Sequence, residues 1–310
     1  TIISKKKSWN FSVAKKSRPH YAPDTSRGAA GRPSPPSLRA HAHRHPSPRL
    51  LEVSGARSPT LYSKITTRSI GQMVEDGQQI VALTAYDFPM AKILDQCGVD
   101  IILVGDSVGN VLLGDENTLP VTVDDMIRHT RAVSRGVKRA MVVGDMPFMS
   151  FQLTPTEALR NAARLVREGG AEAVKLEGAE YLSAIREMIK VGIPVMGHVG
   201  LTPQSVNAFG GYGKRGKVPK EAIKILEDAK KLEKAGCFAV VLEMVPESLA
   251  RQITKALKIP TIGIGAGPNC DGQILVINDL LGLTPHPPSF VKPYEQLGSR
   301  IRRAVSGWAR

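Results

Sequence analysis

Three carboxylates stand where short apolar runs end, and they are the first sign of chemistry in this chain. Asp106, Asp145 and Glu177 each follow a run rich in Val, Ile and Leu. Carboxylates brought together without a partner repel one another, whereas a hard cation such as Mg2+ prefers oxygen ligands. Either the three residues bind a divalent cation together, or each caps the helix that follows its run, as a single Asp often does.

A lysine, a histidine and a fourth carboxylate occupy similar positions. Lys175 lies two residues before Glu177, and His198 and Glu243 each end another apolar run. Taken singly, such a His or Glu is an ordinary structural residue. Beside a metal, the set suits proton abstraction next to a carbonyl, because the metal stabilises the enolate while a carboxylate takes the proton.

The elements that must position these residues follow a regular pattern from Ile80 onward. Short β-branched runs alternate with amphipathic stretches of helical period, which indicates repeated strand–helix units around a parallel sheet. Residues 67–310 hold eight such units, which predicts an α/β fold, a (β/α)8 TIM barrel of the usual size of about 250 residues. An open doubly wound sheet is the alternative. Strands are expected near 80–85, 100–104, 140–144, 172–176, 194–198, 238–242, 260–264 and, less clearly, 274–277.

Helices are predicted between the strands, two of them beginning at Pro155 and Pro246, where a missing N–H does no harm. Two glycine-rich segments follow strands. Residues 263–267 are interpreted as a tight backbone turn, with phosphate binding as the alternative. Residues 209–217 form a long basic segment, either a lid over an anionic ligand or a solvated loop. The clearest helical ranges are 89–97, 124–135, 155–168, 179–191, 219–235 and 246–257.

Residues 1–66 differ from the rest of the chain in composition. They carry thirteen Lys and Arg but only two acidic residues, so they hold +11 of the net charge of +14. This Ser- and Pro-rich stretch predicts a disordered basic leader, interpreted as a transit peptide, ahead of a catalytic domain over 67–310. The expected location is the mitochondrion, with the plastid as an alternative, or the cytoplasm if this segment is not a leader.

The remaining bulk features exclude several classes of partner. The excess charge lies in the leader and the few aromatic residues there are scattered, so nucleic-acid binding is not expected. Apolar runs of about five residues fall well short of the roughly 18–20 that a membrane helix needs. Cys97, Cys237 and Cys270 are far apart and lack metal-ligand spacing, which fits a reducing compartment. The expected partners are small-molecule substrates.

Ordered motifs from Thr84 to Phe290 resemble one known family, ketopantoate hydroxymethyltransferase. Their number and order make chance similarity negligible. They are Thr84-Ala85-Tyr86-Asp87, Leu103-Val104-Gly105-Asp106-Ser107-Val108-Gly109, Thr118-Leu119-Pro120-Val121-Thr122, Asp145-Met146-Pro147-Phe148-Met149, Val174-Lys175-Leu176-Glu177-Gly178, Gly197-His198-Val199-Gly200-Leu201-Thr202-Pro203-Gln204-Ser205 and Ile262-Gly263-Ile264-Gly265-Ala266-Gly267.

The resemblance implies a metal site and a second substrate. Asp106 and Asp145 would bind Mg2+ directly and so face the substrate, while Glu177 would act through the water shell of the ion. The co-substrate would be 5,10-methylenetetrahydrofolate. The resemblance also implies a homo-oligomer, a decamer of barrels.

The resemblance further implies a role for each remaining residue of the site. Ser107 and Lys175 would hold the carboxylate of 3-methyl-2-oxobutanoate, and His198 would lie beside the bound oxo acid. Glu243 would be the catalytic base that takes the proton from carbon 3. The enolate would then attack the one-carbon unit and give 2-dehydropantoate, in the first step of pantothenate biosynthesis.

Two departures from the family pattern and two rival functions stay open at this point. The chain has Arg215 where the family commonly has Gln, and Asn278 where it commonly has His, which bears on folate contacts and local packing. Since the motifs end early after Phe290, either the last helix is expected to be short or the sequence is expected to be incomplete. One rival is another Mg2+-dependent 2-oxo acid lyase, or an aldolase that uses Lys175 as a Schiff base. The other is a basic nucleic-acid-binding protein, favoured only by the net charge.

Overall fold

Runs of branched apolar residues form the eight strands of this protein. The structure is a computed structural model and describes residues 63–310. Each strand pairs in parallel with the next, and the last pairs with the first, so the barrel is closed. The predicted (β/α)8 barrel is confirmed, and the closing pair excludes an open doubly wound sheet. The strands are β1 (Ile80–Thr84), β2 (Ile101–Val104), β3 (Met141–Asp145), β4 (Ala173–Lys175), β5 (Val195–Gly200), β6 (Ala239–Glu243), β7 (Thr261–Ile264) and β8 (Gly272–Leu275).

Helices connect the strands on the outside of the barrel, and the six predicted ones are all present. Thr154 caps the helix that begins at Pro155 by accepting from the Glu157 N–H at 3.1 Å, whereas Pro246 is itself the cap of the helix after it. Over the described residues the helices are α1 (Thr67–Glu75), α2 (Phe88–Gln96), α3 (Val123–Gly136), α4 (Pro155–Arg164), α5 (Leu182–Lys190), α6 (Val206–Phe209), α7 (Pro219–Ala235), α8 (Glu247–Ala256), α9 (Ile277–Leu280) and α10 (Leu297–Trp308).

Three short turns of other helical types interrupt this pattern. Gly109–Leu113 and Leu165–Gly169 are π-helical, and Pro203–Ser205 is a 3₁₀ turn. The second π-helical turn ends the segment predicted as one α-helix over 155–168, because the chain leaves α-helical hydrogen bonding after Arg164. The third lies directly after β5 and carries part of the candidate site.

Alternate residues of each strand fill the barrel interior. Most strands are buried on both faces, which is why they appear in the sequence as nearly unbroken apolar runs, whereas β1 and β8 expose Val81 and Gln273. One set packs together inside the barrel, while its neighbours in sequence face the helices. The inward set includes Ile80, Ala82, Ile101, Leu103, Met141, Val143, Ala173, Met196, Ala239, Val241, Ile262 and Ile274.

Helix α1 closes the amino-terminal end of the barrel. Thr66 and Ser69 form a capping box at its start, a pattern that fixes a helix terminus by pairing its free N–H groups. Ile70 and Met73 join the interior cluster. Ile65, which precedes the predicted domain boundary at residue 66, is also buried there. The rest of the predicted leader, residues 1–62, lies outside the described residues.

Within residues 63–310, no helix is long and apolar enough to cross a membrane.

Candidate active site

The predicted site residues all lie at the carboxyl ends of β2 to β6, on one rim of the barrel. Four of them, Asp145, Lys175, His198 and Glu243, continue the inward-facing row of their strands. Period-two alternation therefore carries their side chains over the barrel mouth. Asp106, Asp145, Lys175, Glu177 and His198 are buried, whereas Ser107 and Glu243 are partly exposed.

A buried ion pair anchors the centre of the rim. The Lys175 ammonium donates to both oxygens of Asp145, at 2.8 and 2.9 Å, and the Asp106 N–H donates to one of them at 3.3 Å. Burial alone would lower the pKa of Lys175, but the carboxylates of Asp145, Glu177 and Asp106 more than offset this and raise it. Burial raises the pKa of Asp145, against the opposing effect of Lys175. The lysine is therefore a fixed positive charge.

Gln204 forms hydrogen bonds with three parts of the site. It was not among the site residues predicted from the sequence. Its amide nitrogen donates to Asp106 Oδ2 and to the Met146 carbonyl, both at 2.9 Å. Its backbone N–H donates to Glu177 Oε2 at 3.0 Å. Because glutamine is uncharged and lies within a longer motif, its only signal was its position in the turn directly after β5. It fixes the orientation of two carboxylates.

His198 lies between two carboxylates and is almost fully buried. Its Nδ1 is 3.7 Å from Glu177 Oε1, and its Nε2 is 3.3 Å from Glu243 Oε2. Neither ring nitrogen has a partner in hydrogen-bond geometry, and Glu243 is the nearer of the two carboxylates. Burial lowers the pKa of His198, with Glu243 opposing it. The imidazole is thus neutral, with ring nitrogens available to a bound molecule.

The three carboxylates expected to converge do so only in part. Among the described residues, no group of three or more His, Cys, Asp or Glu is arranged to hold a metal ion. The Asp106 N–H donates to Asp145, and the charges of both aspartates act on Glu177, which accepts from the Gln204 N–H and lies 3.7 Å from His198 Nδ1. That these three residues hold a metal ion together therefore stays a prediction. Two carboxylates do fit Mg2+, which commonly takes one or two and keeps several waters.

The backbone around Glu243 is held in an unusual conformation. Gly200 has φ +100°, and a Cβ there would overlap the Glu243 carbonyl oxygen, so only glycine allows this approach of β5 to β6. Leu201 N–H donates to that same carbonyl at 2.8 Å. Met244 follows with φ +50°, a conformation that costs energy in residues other than glycine and that clusters at functional sites. The surroundings thus fix where Glu243 points.

Ser107 lies at the rim and forms a hydrogen bond with a tyrosine. Its Oγ is 2.8 Å from the Tyr86 hydroxyl, and the Tyr86 carbonyl lies 2.7 Å from His129 Nδ1. Burial raises the pKa of Tyr86, so the phenol stays protonated. Ser107 therefore has a fixed neutral partner and a partly open side.

The two glycine-rich segments act mainly through their backbone. Gly265 has φ +61°, and a side chain there would press on Met244 and Phe290, which agrees with the interpretation as a tight turn. In the basic segment, the Arg215 guanidinium lies 3.9 Å from the centre of the Phe209 ring and pairs with Glu221. The Arg215 N–H donates to the Met244 carbonyl at 2.8 Å. The backbone thus ties the segment to the residue after β6, while the Arg215 side chain contacts Phe209 and Glu221 within and beside the segment.

The second departure lies at α9. The Asn278 carbonyl accepts from the Leu283 N–H at 2.8 Å, and the neighbouring Asp279 accepts from the Thr284 hydroxyl at 2.5 Å. These bonds close the turn after α9. They involve the Asn278 backbone, so they do not require a particular side chain at that position.

A closed barrel with carboxylates, a lysine and a histidine at its strand ends defines an enzyme of the (β/α)8 class, with its chemistry at the carboxyl rim. A family model described as ketopantoate hydroxymethyltransferase matches residues 64–310. The chain belongs to that family and is therefore an enzyme, a transferase.

Relatives from distant microorganisms agree with this assignment. The chain is 57% identical over 236 residues to the 3-methyl-2-oxobutanoate hydroxymethyltransferase of Thermoanaerobacter sp. (strain X514), a match that covers 76% of this chain and 86% of the relative. It is 59% identical over 230 residues to the protein of the same name from Pyrobaculum islandicum, covering 74% and 88%.

Solved structures with low sequence identity share the fold. A 2,3-dimethylmalate lyase of the PEP mutase/isocitrate lyase superfamily superposes with a TM-score of 0.53 at 16% identity, over 77% of this chain and 85% of that one. A phosphonopyruvate hydrolase in complex with oxalate and Mg2+ gives a TM-score of 0.52 at 13% identity, over 78% and 98%. At this level of identity the likeness supports the barrel alone.

Proposed function

We propose that this protein transfers a hydroxymethyl group from 5,10-methylenetetrahydrofolate to 3-methyl-2-oxobutanoate and gives 2-dehydropantoate, the first step of pantothenate biosynthesis. One observation carries the proposal: the partly exposed Glu243 carboxylate and buried Glu177 lie on opposite sides of His198, and Gln204 links Glu177 to Asp106. Glu243 can thus act as a base on a 2-oxo acid that is bound at this rim.

Asp106 and Asp145 would hold Mg2+, and Glu177 would act through its water shell. When bound, the ion supplies positive charge that polarises the oxo group and stabilises the enolate. The donor set fits, because both carboxylates are buried and close enough for their charges to interact, and Gln204 donates to only one oxygen of Asp106.

Lys175 and Ser107 would hold the carboxylate of the oxo acid. The raised pKa of Lys175 keeps the ammonium charged, and a charged donor gives a stronger hydrogen bond to a carboxylate than a neutral one. Ser107 is partly exposed, so its hydroxyl can reach the same group. The same raised pKa argues against the rival Schiff-base aldolase, since only the uncharged amine attacks a carbonyl.

Glu243 would remove the proton from carbon 3, and neutral His198 would hydrogen-bond to the bound oxo acid. One water is consumed, whose oxygen becomes the new hydroxyl and whose hydrogens go to the two folate nitrogens. Both carbon–nitrogen bonds of the one-carbon unit break, and a carbon–carbon bond forms at carbon 3. The proton that Glu243 removed returns to the hydroxyl oxygen of the product.

The proposed function is tested by product formation from the two substrates. Protein stripped of metal with EDTA should form no 2-dehydropantoate from 3-methyl-2-oxobutanoate and methylenetetrahydrofolate, and added Mg2+ should restore formation. Detection of the product by mass spectrometry is sufficient. Full activity without metal would contradict the metal assignment, and no product in either condition would contradict the function.

Gln204 is expected to position Asp106 for metal binding. Gln204→Met keeps the side-chain length and the backbone bond to Glu177 but removes the donor to Asp106 Oδ2. Loss of a residue that orients a metal ligand typically weakens metal affinity about 10–100-fold, and calorimetric titration with Mg2+ should show a loss of that size. Gln72→Met is the matched control, because Gln72 lies on the exposed face of α1 and donates to Asp76 just after the helix. Equal Mg2+ affinity in both variants would exclude this role.

A further inference from the structure

A short segment near Glu243 can change conformation without disturbing the barrel. Residues 210–214 follow α6 and precede Arg215, and we call them the flap. Gly210 and Gly211 have φ +68° and +133°, and a Cβ at either position would meet no atom within 4 Å. Close packing therefore does not require glycine there, but the backbone conformation does. Such positions suit a hinge, since a hinge consists of a few residues that absorb large changes in φ and ψ.

Contacts on both sides of the flap hold its ends in place. At its start, the Gly211 N–H donates to a carbonyl of α6 at 3.2 Å. At its end, the Arg215 N–H donates to the Met244 carbonyl at 2.8 Å, and the Arg215 guanidinium lies 3.9 Å from the centre of the Phe209 ring. Movement is therefore confined to a few residues, and the far anchor is the residue that follows β6. The exposed residues between the anchors are Tyr212, Gly213 and Lys214.

Tyr212 is the aromatic residue of the flap, and its phenol is close to the site. The side chain is 49% exposed. Burial raises the pKa of the phenol, and the charges of Asp106, Glu243 and Glu177 raise it further. Charge effects on a partly exposed group fall off with distance because solvent screens them, and these carboxylates lie on both sides of His198. The Tyr212 hydroxyl is therefore on the side of the flap that faces the barrel mouth.

A phenol is suited to approach this group of carboxylates. Its raised pKa keeps it neutral, so no like charges are brought together when the flap moves toward the mouth. The ring is large and apolar, while the hydroxyl tolerates contact with water at its edge. Among the described residues the Tyr212 hydroxyl has no hydrogen-bond partner, so no bond has to break for the side chain to move.

The proposed reaction needs protection from water at this place. The Glu243 side chain is 18% exposed, so water reaches the base in this conformation. An enolate in contact with water takes back a proton at carbon 3 and returns to the starting oxo acid. Closure of a segment over a reacting centre excludes water and prevents such side reactions.

We propose that Tyr212 closes over the bound oxo acid, so that its ring excludes water from carbon 3 and the enolate reacts with the one-carbon unit instead of with the solvent. This inference rests on the proposed function, which makes the enolate. It assigns the flap a part in the outcome of the reaction rather than in proton removal, which belongs to Glu243.

The partition of the enolate between solvent and product tests this role. Protein that holds Mg2+ is given both substrates in deuterated water, and NMR follows deuterium at carbon 3 of the remaining oxo acid together with 2-dehydropantoate. We expect the ratio of exchange to product to rise about tenfold in Tyr212→Ala, the order by which loss of one buried ring shifts an equilibrium between open and closed states. Tyr294→Ala, at a residue 84% exposed and outside the flap, is the matched control.

Tyr212→Phe keeps the ring and should restore a ratio close to that of the unmodified protein. A ratio in Tyr212→Ala equal to that in Tyr294→Ala would overturn the inference. So would a rise in Tyr212→Phe as large as in Tyr212→Ala, since the ring would then not be the cause. The unmodified protein tests the proposed function separately: if it neither exchanges the hydrogen nor forms product, that function fails and this inference with it.

Discussion

Lys175→Met should lower the free energy of unfolding of the metal-free protein by about 3–5 kcal/mol, the usual cost of leaving one member of a buried ion pair without its partner. Lys175 is 4% exposed and Asp145 is 1% exposed, and the lysine donates to both oxygens of that carboxylate. Without the ammonium, Asp145 and its carboxylate neighbours would repel one another. For a domain of this size, the loss corresponds to a fall in Tm of roughly 10 °C.

The paired variant distinguishes this electrostatic cause from a packing defect. Lys175→Met with Asp145→Asn removes both charges, and replacing a whole buried pair is often nearly neutral. We therefore expect the double variant to recover most of the lost Tm in a thermal melt, while Lys190→Met, at the exposed end of α5, changes little. A double variant as unstable as Lys175→Met alone would show that the ion pair does not explain the loss.

The sequence predicted the barrel because most of its strands are buried on both faces and bounded by polar residues. All eight strands and all six predicted helices are present. Helix α1 was missed because it precedes the first strand and its capping signal, Thr66 with Ser69, lies at the edge of the basic segment. The proposed domain boundary at residue 66 and the leader stay predictions, since residues 1–62 lie outside the described part of the chain.

The positions of the site residues could be predicted, but not their contacts. Strand-end placement located Asp145, Lys175 and Glu243 on one rim because alternation along a strand is regular. It could not show that Lys175 donates hydrogen bonds to both oxygens of Asp145, because this contact depends on the conformations of two side chains on neighbouring strands. For the same reason the sequence did not reveal Gln204, whose bonds connect residues 58 to 98 positions apart.

Glu243→Gln is expected to slow removal of the carbon-3 proton by roughly 10²–10⁴-fold, the usual contribution of a positioned general base. The amide has nearly the same volume but cannot accept that proton. Leu201 N–H bonds to the Glu243 backbone rather than to its side chain, so the local structure should be kept. Mg2+ and oxo-acid affinities, measured by calorimetry, should therefore stay close to those of the unmodified protein.

The most direct test of enolisation at this rim is the rate at which the carbon-3 hydrogen of 3-methyl-2-oxobutanoate exchanges into deuterated water, with Mg2+ and without folate, followed by NMR. The matched control is Glu247→Gln, four residues on and exposed on α8. We predict exchange at similar rates in the unmodified protein and the Glu247 variant, and roughly 10²–10⁴-fold slower exchange in Glu243→Gln. Exchange in Glu243→Gln at the unmodified rate would contradict the account and make His198, 3.3 Å away, the next candidate for the base.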